Sequence, residues 1–285
     1  MAKPLISDEQ ASDFLVAHHG AIDELERIAT GYWSSAFAYG AAGDDLVVRF
    51  GHNRDWYEVD RAAHANNSDA LPVPRVRDIG EAFDGLFFAI SERSSGVFLE
   101  DVTDASAVVP MLLAGLRAAP AADADYTWRD WLLGGIDHAG RNGPHRAVVA
   151  RDAVAGPIAD VVEAEVRRLL DAVPQRRDLV HGDLVHKNVL VAPDLSRVNA
   201  VFSWKCSARG DALFDAGWLS FWGPWFPGFA ALDMWSLADD GSADAGARFH
   251  CYELHIGLTH LCWNAQINDL VELHRVAARL EELLS

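Results

Sequence analysis

The sequence predicts an α+β protein of two lobes, in which a small antiparallel β-sheet lobe precedes a larger, mostly helical lobe. Short strand-like patterns dominate the first ~92 residues, whereas long patterns with helical spacing fill most of the chain after Gly96. A chain of 285 residues is long enough for two unequal lobes that each bury a core. We therefore predict lobes over residues 1–92 and 93–285, joined by an extended connector near Ser91–Ser95.

The N-terminal lobe is predicted to begin with a helix. Ser7 and Gln10 form a capping-box pattern, and apolar residues with helical spacing continue to Leu25. Two strand pairs follow, with one helix between them. The first pair is WSSAFAYG and LVVRF, the helix covers residues 56–68, and the second pair is VRDIGEA and GLFFAISER around a turn at Asp84-Gly85.

The C-terminal lobe is predicted to be helical, with short strands only beside the HGD segment and at Asn199–Phe202. The sequence contains no internal repeat. The predicted helices cover about residues 98–118, 126–137, 156–173, 212–223, 243–265 and 268–284.

Composition excludes several classes of partner. The formal charge of −18 argues against nucleic acid or an anionic membrane as a main partner and favours a cationic ligand. The three cysteines have no paired spacing, so neither a disulfide framework nor a zinc site is predicted. Asp8 and Glu9 stand where a signal peptide would need apolar residues, and no stretch reaches membrane-spanning length, so we expect a cytoplasmic protein.

The segment HGDLVHKNVLV, which begins at His181, carries the residues that phosphoryl transfer to a hydroxyl needs. That reaction requires an acceptor for the hydroxyl proton and divalent cations that bridge the phosphates. Asp183 can orient and deprotonate the hydroxyl, and Asn188 offers a neutral oxygen to magnesium. The alternative is a chance turn in which Asn188 only ends a loop. The spacing, followed by the strand-like VNAVFSW, favours a kinase-like site in a cleft between the lobes.

Two aspartates follow in RGDALFDAG. Asp211 precedes a predicted helix, and Asp215 lies in its first turns, where a carboxylate can satisfy exposed amides. Asp211 is therefore first of all a capping residue, and Asp215 is predicted to bond back to the HGD loop. Direct contact of either residue with metal or substrate is the alternative.

The order and spacing of the motifs resemble the aminoglycoside phosphotransferase family, and most of all its hygromycin B branch. The resemblance implies a protein-kinase-like fold, an ATP- or GTP-dependent phosphotransferase, Mg²⁺ and a cationic aminoglycoside substrate. Residues 1–92 would then bind nucleotide, and residues 93–285 would carry the catalytic loop and substrate site. The matching segments are GYWSSAFAYG, LVVRF, ALPVPRVRDIGE, ISERSSGVFLED, TWRDW, HGDLVHKNVLV, VNAVFSW, RGDALFD, FWGPW and YELHIGL.

The resemblance assigns the nucleotide site to three groups of residues: a loop that covers the phosphates, a basic residue on the third strand, and a segment whose backbone holds adenine. An arginine at the strand position can contact phosphates through its planar fork. Its helix partner is Glu58 or Asp60, with Asp60 preferred. The assigned residues are Gly31, Ser34 and Ser35 for the loop, Arg49 for the strand, and Ser91, Glu92 and Arg93 for the adenine segment.

Substrate contacts are implied in the helical lobe. Trp222 and Trp225 in FWGPW match tryptophans that pack against the aminocyclitol in the hygromycin branch, and core packing is the alternative role for both. Asp211 is the remaining candidate for a substrate contact. The acidic composition agrees with a polycationic antibiotic, because carboxylates would attract it.

Ser203 departs from the family pattern. The resemblance implies an aspartate there that holds magnesium together with Asn188, and a serine hydroxyl is a weaker, neutral ligand. The leading hypothesis is a weakened phosphotransferase. Its alternatives are a kinase-fold protein that only binds nucleotide or a small cation, and a kinase for a macrolide or a choline-like amino alcohol.

Overall fold

The computed structural model describes residues 6–31, 33–83, 85–137 and 143–285. Contacts between Cα atoms divide the chain into two compact units, each built from two segments. The first unit comprises Met1–Phe98 and Asn188–Cys206, and the second comprises Leu99–Lys187 and Ser207–Ser285. The predicted lobes were each one continuous segment, with a boundary between residues 92 and 93. The two compact units are each discontinuous in sequence, and the predicted boundary stays a prediction.

The first unit contains most of the strands and the second most of the helices, which confirms the α+β class. The strands are β1 (Asp23–Thr30), β2 (Ser34–Ala41), β3 (Asp44–Gly51), β4 (Val76–Phe83), β5 (Leu86–Glu92), β6 (Val97–Phe98), β7 (Asp178–Val180), β8 (Val189–Val191), β9 (Val198–Val201) and β10 (Ala208–Gly210). The α-helices are α1 (Asp8–His19), α2 (Arg54–Ala63), α3 (Val108–Ala118), α4 (Trp128–Ile136), α5 (Gly143–Val149), α6 (Ala155–Leu169), α7 (Leu213–Trp222), α8 (Met234–Ala238), α9 (Ala245–Ile267) and α10 (Leu270–Leu284).

Helix α1 begins at the predicted capping box and ends earlier than predicted. The Gln10 amide donates to the Ser7 hydroxyl at 3.1 Å, and the Ser7 amide donates to the Gln10 side chain at 3.0 Å. The helix stops at Gly20, whose φ of +83° lies in the left-handed region that favours glycine. The predicted continuation to Leu25 is wrong, because β1 pairs with β2 as an edge strand.

The five-stranded sheet of the first unit is antiparallel, in the order β1-β2-β3-β5-β4. This arrangement confirms both predicted strand pairs; of the predicted turn at Asp84-Gly85, Asp84 lies outside the described residues. One face of the sheet packs against α1, because alternate strand residues point toward that helix. The buried residues of this core include Leu15, Phe37, Tyr39, Val48, Phe50, Phe88 and Ile90.

A second small sheet of the first unit holds the segment that follows the HGD loop. Its strand order is β6-β8-β9, and Val189 is paired with Val201. This pairing brings the residues before β8 and after β9 to the same end of the sheet. The predicted helix over residues 98–118 starts only at Val108, because β6 ends at Phe98 and a short 3₁₀ helix at Leu99–Asp101 follows it.

The second unit is organised around α9, which packs against α6, α7 and α10. Gly257 permits this close packing, since a Cβ there would collide with Leu280 and Phe221. The other predicted helices are confirmed with small shifts of their ends, and α5 and α8 were not predicted. Among the described residues, no helix is both long and apolar enough to cross a membrane. The buried residues of α9 include Cys251, Tyr252, Leu254, Ile256, Leu258 and Leu261.

Candidate active site

The HGD loop follows β7 directly and is fixed at its start by Asp215. The backbone amides of His181 and Gly182 each donate to the Asp215 carboxylate, at 2.8 Å and 2.8 Å. Gly182 has a φ of +73°, which a residue with a side chain rarely adopts. The bracing role predicted for Asp215 is therefore confirmed, and α7 determines where the loop begins.

Asp215 is almost completely buried, and burial raises its pKa to about 7. The two amide hydrogen bonds act in the opposite direction, because they favour the ionised carboxylate. The carboxylate thus has two backbone donors in a site that otherwise disfavours charge.

Asp183, the predicted base, is buried except for part of its side chain, which is 12% exposed. Its backbone amide donates to His181 Nδ1 at 3.2 Å. Its Oδ1 atom lies 2.8 Å from Nδ1 of His186, so this ring nitrogen donates to the carboxylate. Sequence reasoning missed His186. The only available signal was a histidine three residues after the base, and spacing alone does not determine contacts inside a loop.

The end of the loop is fixed by a second carboxylate that sequence reasoning missed. The Lys187 amide donates to Glu100 Oε1, and the Lys187 ammonium lies 3.0 Å from Asp101. Burial is the main cause that raises the pKa of Glu100. His186 and Lys187 both have a φ of +63°, and two consecutive left-handed residues with side chains are unusual. The contacts from Glu100 and Asp101 compensate for this local strain.

The two predicted metal ligands are close to each other in the first unit. The Phe202 amide donates to the Asn188 carbonyl at 3.0 Å, so Ser203 directly follows a residue that is hydrogen-bonded to Asn188. Asn188 is buried and Ser203 is half-buried with a φ of +68°. The backbone at Asn188 is therefore close to the backbone at Ser203, and the shared metal-binding role of the two residues stays a prediction.

The chemistry of this pair does not fit a magnesium ion held by the protein. Both side chains offer neutral oxygens, whereas magnesium sites in proteins use one or two carboxylates together with phosphate oxygens. Within the described ranges, no group of three or more His, Cys, Asp or Glu side chains could hold a metal ion. Asn188 and Ser203 together provide no negatively charged ligand, because a serine stands where the resembling family has an aspartate.

Arg49 forms an ion pair with Asp60 on α2, at 2.5 Å. This confirms Asp60 as the helix partner, while Glu58 pairs with Arg54 and Arg61. The other oxygen of Asp60 accepts the Trp204 amide at 2.6 Å. One buried carboxylate therefore connects the basic residue of β3 to the residue that follows Ser203.

The predicted phosphate loop precedes β2 and continues into its first residues. The Gly31 amide donates to the Ser34 carbonyl at 2.8 Å, and residue 32 lies outside the described ranges. Ser34 is half-buried, and Ser35 is fully buried. The nucleotide-binding roles of Gly31, Ser34 and Ser35 stay predictions.

The predicted adenine segment is held within the sheet of the first unit. The Glu92 amide donates to the Arg75 carbonyl at 3.1 Å, and the Arg93 amide donates to the Asp45 carbonyl at 3.1 Å. Ser91 is paired with Val47 on β3. These two amides donate inside the unit, and the contact of the segment with adenine stays a prediction.

The contacts of Asp211 indicate a structural role. It is fully buried, and its carboxylate accepts hydrogen bonds from Arg248, from the Tyr252 hydroxyl at 2.9 Å and from the Leu213 amide at 3.1 Å. The amide contact is the capping role that the sequence favoured first. The predicted substrate contact is corrected, because no oxygen of this carboxylate is exposed to a ligand.

The two tryptophans of FWGPW have different environments. Trp222 is 4% exposed, and its ring centroid lies 5.0 Å from that of His186 and 4.9 Å from that of His260. Its indole nitrogen is buried and has no hydrogen-bond partner in the described part of the chain. Trp225 is half-buried, and its indole nitrogen donates to Glu272 at 2.6 Å. Trp222 thus lies beside His186 of the HGD loop, and Trp225 contacts Trp222.

Known proteins resemble this chain in sequence and in fold. The sequence pattern of the phosphotransferase enzyme family matches residues 24–249. Hygromycin-B 4-O-kinase from Escherichia coli is 28% identical to this chain, with 92% of this chain and 80% of that protein covered.

Solved structures show the same fold. A thermostable mutant of aminoglycoside phosphotransferase APH(4)-Ia, in a ternary complex with AMP-PNP and hygromycin B, superposes with a TM-score of 0.85 at 25% identity, covering 96% of this chain and 97% of that one. The GDP complex of aminoglycoside 2'-phosphotransferase-IIIa has a TM-score of 0.66 at 16% identity, with 98% of both chains covered, and shares the fold alone.

Proposed function

The chain belongs to the phosphotransferase enzyme family, and we propose that it transfers the terminal phosphoryl group of ATP to a hydroxyl of a hygromycin B-like aminoglycoside. The observation that carries this proposal is Asp183, whose carboxylate projects from a loop that Asp215 fixes at its start and Glu100 at its end. A related kinase of hygromycin B and a structure solved with that antibiotic support the substrate class.

Asp183 acts as the general base. It accepts the proton of the acceptor hydroxyl while the hydroxyl oxygen forms a bond to the terminal phosphorus of ATP. The bond between that phosphorus and the bridging oxygen breaks, and ADP leaves with the bonding electrons. Because phosphoryl transfer depends mainly on positioning and charge, a fixed carboxylate is the main contribution of this loop.

The first unit binds the nucleotide in this proposal. Arg49 contacts phosphate oxygens with the part of its guanidinium that Asp60 leaves open, and the ion pair keeps the side chain in place. Gly31, Ser34 and Ser35 cover the phosphates, and the segment Ser91–Arg93 holds the base. ATP and GTP both fit these expectations.

The second unit binds the acceptor. Trp222 lies beside His186 of the catalytic loop, and indole rings stack on the apolar faces of sugars. The formal charge of −18 attracts an antibiotic that carries several ammonium groups. Phosphorylation would inactivate the antibiotic in the cytoplasm, so the proposed biological effect is antibiotic resistance.

A transfer assay tests this function. Purified protein is incubated with ATP, magnesium and separate acceptors: hygromycin B, other aminoglycosides, a macrolide and choline. Mass spectrometry then detects the phosphorylated acceptor. We expect phosphorylated hygromycin B with the wild type and none with Asp183→Asn. Transfer only to the macrolide or to choline would refute the substrate class.

Ser203 favours one competing function, a protein that binds nucleotide without transferring phosphate. The oxygens at the predicted metal site belong to an amide and a hydroxyl, and two neutral oxygens would hold magnesium weakly. Titration calorimetry with ATP, performed beside the transfer assay, separates the two functions. Tight ATP binding with no phosphorylated product from any acceptor would establish the binder.

A further inference from the structure

The first unit contains a lysine that the proposed nucleotide site does not include. Nζ of Lys205 lies 5.5 Å from the ring centroid of Trp56, within the range of a cation–π contact. Lys205 is half-buried, and among the described residues no carboxylate forms an ion pair with it. In a chain with 42 acidic side chains, this ammonium group therefore rests on an aromatic ring instead of pairing with a carboxylate.

Lys205 and Arg49 are held at the same face of α2. Asp60 pairs with Arg49 at 2.5 Å. Trp56, which contacts the lysine, is four residues before Asp60 on α2, so the two side chains lie one turn apart on one face of the helix. The amide of Trp204, the residue before Lys205, donates to Asp60 at 2.6 Å. One carboxylate therefore fixes both the arginine and the backbone that carries the lysine.

The ring of Trp56 also connects Lys205 to the predicted phosphate loop. The rings of Trp56 and Trp33 meet edge to face, with centroids 5.3 Å apart. Trp33 directly precedes Ser34, whose carbonyl accepts the Gly31 amide at 2.8 Å. Lys205 is therefore separated from this loop by a single pair of contacting indole rings, and all of these residues belong to the first unit.

The predicted metal site lacks the charge that this lysine carries. Asn188 and Ser203 offer neutral oxygens, which would hold magnesium weakly. Ser203 stands two residues before Lys205 in the same segment. A lysine ammonium binds phosphate as a compact point charge with three N–H donors. It can therefore supply positive charge to phosphate oxygens directly, without a metal ion held by the protein.

We propose that Lys205 binds the terminal phosphates of the nucleoside triphosphate and supplies part of the positive charge that Asn188 and Ser203 cannot recruit as magnesium. The assignment rests on the proposed function, because it needs the first unit to bind the nucleotide. It goes beyond that function by adding a phosphate-binding residue and by requiring that ATP bind without a divalent cation. Lys205 also distinguishes ATP from AMP, because AMP has only the α-phosphate.

Titration calorimetry with ATP and with AMP, both in EDTA, tests this role. Lys205→Gln removes the charge, and Lys205→Arg keeps it. Arg61→Gln is the matched control, because it removes one exposed cation from α2. We expect Lys205→Gln to raise the Kd for ATP about tenfold or more, Lys205→Arg to keep it within about threefold, and Arg61→Gln within about twofold. AMP should bind equally to the wild type and to all three variants.

Four results would overturn the proposal. An unchanged Kd for ATP in Lys205→Gln would show that the lysine only covers Trp56. An equal loss of affinity for ATP and AMP would show that the terminal phosphates are not the contact. An equal loss in Arg61→Gln would show a general effect of net charge. Failure of the wild type to bind ATP in EDTA would show that Lys205 does not supply this charge.

Chemical labelling tests the same contact without a substitution. The sequence contains three lysines, Lys3, Lys187 and Lys205. After brief acetylation in EDTA, mass spectrometry measures the labelled fraction of each one. We expect ATP, unlike AMP, to protect Lys205, with Lys3 as the internal reference, and equal labelling of Lys205 with both nucleotides would overturn the proposal. Neither measurement needs turnover, so absence of product in the transfer assay would refute the proposed function alone.

Discussion

Replacement of Ser203 by aspartate is the sharpest test of the predicted metal site. Ser203 is half-buried and follows Phe202, whose amide donates to the Asn188 carbonyl at 3.0 Å. A carboxylate at this position would supply the charged oxygen that the pair lacks. The backbone accepts the change, because Ser203 has a φ of +68° and aspartate tolerates this region better than most residues. The nearby Asp60 adds little repulsion, since Arg49 pairs with it.

The expected gain in turnover for Ser203→Asp follows from the free energy that one charge near the reacting phosphate contributes to catalysis. Removal of a preorganised electrostatic contact costs about 2.7–4 kcal/mol in other enzymes. Ser203 is partly open to solvent, which screens the new charge, so we take about 1.4 kcal/mol as the lower bound. This bound corresponds to about a tenfold increase in turnover.

The assay is a magnesium titration of kcat and of the Kd for ATP in the wild type, Ser203→Asp and Ser203→Asn. The asparagine variant is the matched control, because it has nearly the same shape without the charge. We expect Ser203→Asp alone to raise kcat about tenfold or more and to tighten ATP binding in the presence of magnesium. If the wild type equals or exceeds Ser203→Asp over the whole titration, or if Ser203→Asn gives the same gain, the charge argument is wrong.

Four further predictions concern the base, the loop brace, the basic residue and the substrate. Asp183→Asn should abolish transfer and keep the Kd for ATP, and normal turnover in this variant would exclude the base. Burial raises the pKa of Asp215 from 3.8 to about 7, so the folded wild type holds an extra proton and loses stability as the pH rises between these values. In thermal melts, Asp215→Asn should therefore gain stability relative to the wild type as the pH rises through this window. The opposite trend would mean that the two amide hydrogen bonds outweigh burial. Asp60→Asn should lower the free energy of unfolding by about 3 kcal/mol, because it leaves Arg49 without its ion-pair partner. Glu58→Gln on the same helix should lower it by less than about 1 kcal/mol. Similar denaturant midpoints for the two variants would refute the structural role of Asp60. Finally, hygromycin B affinity should fall with ionic strength in calorimetry, because salt screens carboxylate attraction, and a constant affinity would indicate a neutral ligand.

The sequence was sufficient for the fold class and for most elements. Alternating apolar residues predicted both strand pairs of the five-stranded sheet, and helical spacing predicted the long helices of the second unit. It failed at the end of α1, where residues after Gly20 form an edge strand. The strand depends on its pairing with β2, and a pairing partner is not visible in a local pattern.

The residues of the candidate site likewise fall into those that the sequence pointed to and those that only the tertiary structure revealed. Asp183 and Asn188 were predicted from residue type at a fixed spacing, and Ser203 from the resemblance to the phosphotransferase family; the roles of all three stay predictions. The capping pattern likewise suggested the brace from Asp215, which the structure confirms.

Only the tertiary structure decided which side chains support these residues. It selected Asp60 over Glu58 as the partner of Arg49, revealed Glu100 as the anchor of the loop end, and brought His186 to the base. It also showed that Asp211 is enclosed by Arg248 and Tyr252. The physical reason is that such contacts join residues far apart in sequence, or neighbours in a left-handed turn, and their geometry depends on backbone angles and packing that no spacing in the sequence specifies.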